Sequence, residues 1–124
     1  MRLALCLYGT LEGRSGGNLY DQRLVSKLRA SGHQVEEISL EGGSWGGCLA
    51  RGLRSEAMLP RLEGDWDLLL QDELAHATLF RVNRRLRQRG SYPIVAIVHH
   101  LRSSERHPAV LRQLYRVVEK AYLS

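Results

Sequence analysis

Lysine is nearly missing from this 124-residue chain: of its 18 basic residues only Lys27 and Lys120 are lysines, and the rest are arginine. Proline occurs three times and phenylalanine once. Few prolines beside 44% hydrophobic and 25% charged residues exclude a long disordered tract. Two cysteines, Cys6 and Cys48, lie in unrelated segments, which excludes a disulfide framework and a zinc-type ligand spacing. The longest apolar runs, 3–8 and 94–98, fall far short of the roughly 20 residues of a membrane-spanning helix. The run after Arg2 also lacks the length and cleavage site of a secretion signal, so a cytoplasmic protein with two reduced thiols is expected. An aromatic share of 6% and no RRM- or KH-like sequence argue against nucleic-acid binding.

What is present is one domain's length, 1–124, and a net charge of +5 that favours anionic partners such as phosphates or an acidic lipid surface. Residues 3–8 form a continuous apolar run, which predicts a strand buried on both faces. Residues 19–31 follow as a helix, with Tyr20, Leu24, Val25 and Leu28 at helical spacing and Gly32 as its stop. A strand at 34–40 and a Gly/Ser-rich loop at 41–47 come next, then a weaker helical pattern over 49–62 that ends near Pro60. A third strand spans 67–72. The helix over 74–88 buries Ala75, Leu79, Val82 and Leu86 and leaves arginines on its other faces. Residues 94–98 read as a fourth buried strand. A last helix starts near Pro108 and is expected to bury Val110 or Leu111, Leu114, Val117 or Val118, and Ala121.

Strict alternation of strands and helices predicts an α/β fold: a Rossmann-like, doubly wound parallel sheet in three α/β/α layers. The chain stops at a helix, which in this architecture usually feeds another strand, so a continuation beyond Ser124 is expected.

Ligands of such sheets bind at the carboxyl ends of the strands, which directs attention to the segments that follow them. Residues 13–18 include Gly16, Gly17 and Asn18 just before a helix, where backbone N–H groups and the helix dipole meet a phosphate. An ordinary flexible turn is the alternative. No Gly-Lys-Ser/Thr follows, which excludes a Walker loop, and the dinucleotide glycine spacing is absent. Glu41 supplies the acid an NAD-type domain needs, but the glycines do not fit. After the fourth strand, one of His99 and His100 faces the crevice and is a candidate catalytic group; a strand-end packing role is the other reading. Arg102 and Arg106 are phosphate or substrate clamps unless Glu105 occupies them. Asp72 and Glu73 either accept from sugar hydroxyls or serve as helix N-terminal acids. Asp72, Glu73 and His76 with the two histidines lack a recognisable metal spacing, so no metal is expected. The arginines between Arg81 and Arg89 form a solvated face or rest on an acidic membrane, at the inner face if so.

Gly16-Gly17 opening a helix that closes in Gly32-His33-Gln34-Val35 resembles the opening of glycosyltransferase family 4, retaining enzymes of GT-B fold. Residues 67–73, and 94–102 with their His-His pair, resemble the third and fourth strands of the same N-terminal domain, so the similarity runs along essentially the whole chain. The resemblance implies an N-terminal, acceptor-side lobe facing a C-terminal lobe that holds a nucleotide-sugar, with no metal and no separate cofactor. Gly16 and Gly17 then approach the donor phosphates, and His99 or His100 lies near the transferred sugar. The C-terminal lobe and its paired glutamates have no counterpart in these residues, so the chain alone is expected to be inactive. A binding module for a phosphorylated metabolite, without turnover, is the competing expectation.

Overall fold

A computed structural model describes residues 1–9, 11, 16–54, 57–89, 92–98, 106 and 108–123, with backbone only at 16–18. The elements, in order, are β1 (Arg2–Tyr8), α1 (Gly16–Ala30), β2 (Gln34–Leu40), α2 (Trp45–Leu53), α3 (Leu59–Leu62), β3 (Leu68–Asp72), α4 (His76–Arg89), β4 (Ile94–Ile97) and α5 (Ala109–Leu123). A 3-10 turn, Glu73–Ala75, joins β3 to α4.

The four strands pair in the order β2-β1-β3-β4, all parallel, with Leu3 opposite both Val35 and Leu68, and Leu69 opposite Ile94. The domain is therefore of α/β class. β1 is central, as its unbroken apolar run requires, and its side chains divide by parity. Leu3, Leu5 and Leu7 join Val35, Leu70 and Val25 of α1 in one cluster. Ala4 and Cys6 join Leu69 and the α4 residues Leu79, Val82 and Leu86 in the other. Truncating a side chain as enclosed as Leu79 costs about 2–5 kcal/mol.

Gly32 ends α1 as expected. It sits at φ +89, its N–H bonds the carbonyl of Arg29 at 3.0 Å, and His33 N–H reaches Leu28 O at 3.1 Å. This is a glycine-terminated cap in which a Cβ at that φ would be strained.

Several boundaries or faces differ from those expected, and the single helix expected over 49–62 is two, α2 and α3. Helix α1 starts at Gly16, three residues early, because the first helical turn needs no intrahelical donors and tolerates weak helix formers there. The expected loop at 41–47 is partly helical: the Ser44 side chain accepts from Gly47 N–H at 3.1 Å and starts α2 at Trp45. Within α2, a Cβ on Gly52 would lie 2.2 Å from the Ala77 carbonyl oxygen, so glycine lets α2 press directly onto α4. β4 is an edge strand, not a fully buried one, with Val95 44% exposed. An apolar run reports hydrophobicity but not whether a neighbour exists on each side. Finally, of the residues expected to be buried in α5 only Val118 is: Tyr115, Glu119 and Tyr122 are buried with it, and Val110, Leu111, Leu114, Val117 and Ala121 are exposed. The tyrosines win because their rings reach α2 and α4 and form the larger contacts.

Candidate functional site

A parallel sheet brings the carboxyl ends of all its strands to one edge. Here that edge carries Tyr8, Leu40, Asp72 and Ile97. β1 has β2 on one side and β3 on the other; the connection from β1 leads to β2 and that from β3 leads the opposite way to β4, so the strand order reverses between β1 and β3. That reversal is where connecting loops separate and open a crevice. The chain beyond β1 enters α1 at Gly16 and Gly17, with Asn18 completing the first turn, while the chain beyond β3 enters the turn at Asp72 and Glu73. His99, His100 and Arg102 lie outside the described residues. Arg106 is exposed.

Asp72 is the capping acid of the pair. Its carboxylate Oδ1 accepts from the Leu74 N–H at 3.0 Å and so starts the 3-10 turn. Glu73 is buried in that turn's first position, and its carbonyl oxygen is 2.9 Å from His76 Nδ1. The other ring nitrogen of His76 faces the indole N–H of Trp45 at 2.9 Å. An indole only donates and a carbonyl only accepts, so His76 carries its proton on Nδ1 and presents a lone pair at Nε2. Both nitrogens are thereby engaged. His76 is a buried positioning group rather than an acid or base for a ligand.

Around it stands an aromatic cluster that the sequence reading did not assemble. Trp45 meets Tyr115 edge to face with centroids 4.6 Å apart, and Tyr122 lies 6.3 Å from the His76 ring. Burial holds the Tyr122 phenol well above the usual tyrosine range, with smaller upward contributions from Cys6, Asp72 and Glu73 and a downward one from Arg87. The only available signal was the seven-residue interval between Tyr115 and Tyr122, two helical turns, which places both rings on one face of α5.

A second polar chain fixes the end of β1. Thr78 Oγ1 spends its single proton on the Cys48 carbonyl at 3.4 Å, so Tyr8 donates to Thr78 at 2.6 Å. Tyr8, too, is raised above the ordinary tyrosine range, first by burial. These links tie β1, α4 and α2 together beneath the crevice. The polar groups under the edge are thus bonded within the protein. Among the described residues no group of three His, Cys, Asp or Glu is placed to hold a metal ion.

Comparison of the chain with protein-family models, with curated proteins and with solved structures finds no match.

Proposed function

We propose that this chain is the N-terminal, acceptor-side lobe of a retaining GT-B glycosyltransferase that moves a sugar from a nucleotide-sugar to an acceptor. The observation that carries the reading is the start of α1 on Gly16 and Gly17 at the carboxyl edge beside the strand-order reversal. Two residues without Cβ atoms, followed by Asn18, offer unpaired helical N–H groups to a donor phosphate at close range.

The parity of β1 supports a Rossmann-like, doubly wound, three-layer arrangement, since one of its side-chain sets packs with α1 and the other with α4. In this reading the segment from Asp72 and Glu73 forms the opposite wall; His99 or His100 at the transferred sugar, as the resemblance implies, and Arg102 at the substrate are part of the proposal. Burial of both acids makes the backbone of that turn, more than the carboxylates, the surface a sugar meets. The donor's nucleotide belongs to a second lobe, and this lobe alone does not turn over.

The test is transfer, read by mass spectrometry of the products, with the two-lobed protein and a panel of nucleotide-sugars. Gly17→Trp is expected to lower turnover by about a hundredfold through displacement of the phosphates. Unaltered turnover in that variant refutes the phosphate role. Tight binding of a sugar phosphate by the 124-residue chain alone, without transfer in the longer protein, establishes a binding module instead.

A further inference from the structure

Helix α5 carries a wider apolar arc than its packing consumes. Tyr115, Val118 and Tyr122 are buried on one flank, whereas Val110 is 83% and Val117 57% exposed. At the ~100° per residue of an α-helix, Val110, Leu114, Val117 and Ala121 fall within about 60° of one another, a single stripe along the helix. Ala121 also lines a groove of about 650 Å³ with Leu53, Phe80, Arg81, Arg84 and Arg87, so the stripe runs into an arginine-lined hollow between α5 and α4.

The charge around this stripe has one sign. Helix α4 bears Arg81, Arg84, Arg85, Arg87 and Arg89 and no acid. Helix α5 bears Arg112, Arg116 and Lys120, and its one acid, Glu119, is buried. Arg81 donates to the Leu53 carbonyl at 3.1 Å and Arg87 to the Tyr122 carbonyl at 2.9 Å, both neutral acceptors. Arg89 is met by the carboxylate of Glu63.

An aliphatic stripe with the arginines of α4 on one flank and Lys120 on the other gains little on a nucleic acid, which rewards aromatic stacking. A second copy would bring arginines against arginines with no exposed acid on either helix to pair them. An anionic bilayer accepts both parts of the surface: acyl chains take the apolar stripe and headgroups take the cations.

We propose that α4 and α5 form a docking surface for an anionic lipid bilayer, with Val110, Leu114 and Val117 entering the interface and Arg84, Arg87 and Lys120 meeting the headgroups. The contact is peripheral, since no described helix is long and apolar enough to cross a membrane.

Co-sedimentation with vesicles tests it. The protein is expected to bind mixed phosphatidylglycerol–phosphatidylcholine vesicles, to ignore phosphatidylcholine alone, and to be released as salt is raised. Arg84→Gln with Lys120→Gln should weaken binding about 25-fold, roughly fivefold per charge. Val117→Asp should abolish it while leaving the circular dichroism spectrum and melting temperature unchanged, because the position is exposed. Equal binding to both vesicle types, or binding unaffected by Val117→Asp, overturns the proposal. So does a concentration-dependent dimer in sedimentation equilibrium that Val117→Asp disperses, or strong hydrogen-exchange protection of the stripe's surroundings without lipid that lipid does not change.

Discussion

The indole N–H of Trp45 points at Nε2 of His76 across 2.9 Å, and this single bond joins the first residue of α2 to the first residue of α4. Its other consequence is to orient the ring that packs near Tyr122. Trp45→Phe keeps a ring but deletes the donor and leaves a buried acceptor unmet. The expected loss is about 1–3 kcal/mol in urea unfolding. A loss no larger than that of an exposed substitution such as Val110→Ala would show that the bond contributes nothing.

Gln71 and Asn83 exchange two amide hydrogen bonds, each 2.7 Å, in a fully buried contact between β3 and α4. Either residue changed alone to an apolar one strands the partner's amide, and Asn83→Leu should cost about 1–3 kcal/mol. Gln71→Met combined with Asn83→Leu is expected to recover much of that loss, since no orphaned group remains. A double-mutant cycle by chemical denaturation measures the coupling; additive losses would mean that the amides do not act as a pair.

Two glycines of one helix should respond oppositely to alanine. At Gly52 the added carbon meets the Ala77 carbonyl at 2.2 Å, and α2 must move off α4, at about 1–3 kcal/mol. At Gly46 the same carbon meets nothing within 4 Å, and the gain in helix propensity should stabilise by about 0.5–1 kcal/mol. Melting temperatures of the two variants, compared with the parent, decide the matter.

Alkali should unfold the protein cooperatively. Burial pushes the Cys6 thiol up to about 12 from 9.0, an effect that nearby Arg61 only partly offsets. Burial likewise raises the phenols of Tyr8 and Tyr122. Between pH 9 and 12 the unfolded chain has lost the Cys6 proton while the folded chain keeps it, so stability is full below about 9 and falls as pH rises through this window. In an absorbance titration near 295 nm, Tyr8 and Tyr122 should ionise only with unfolding, and Cys6 should resist a thiol reagent at pH 8 until denaturant is added. Smooth ionisation of all the tyrosines in the folded state would contradict this.

Much of this architecture can be read from local pattern. The strand at 34–40 occurs at the residues expected, and the expected stripe of Ala75, in the turn before α4, with Leu79, Val82 and Leu86 of α4 is buried throughout. Gly32 marks the end of α1 because only one backbone conformation closes that cap and glycine adopts it without strain. The candidate site is legible only to the level of segments. Strand ends locate the edge, but which acid of Asp72 and Glu73 caps the turn depends on a hydrogen bond to Leu74 that spacing does not reveal.

The sequence by itself determined the alternation of strands and helices, the parallel sheet that follows from it, and the segments that meet at its carboxyl edge. Periodicity and glycine stereochemistry are local, so a chain read one window at a time contains them. Only the tertiary structure decided that β4 lies on an open edge, that Trp45 leaves its glycine-rich stretch to cap His76, and that α5 turns its tyrosines inward and its valines out. Each depends on what stands opposite in space. For α5 both stripes are apolar, and the choice fell to the face whose rings found α2 and α4 within reach.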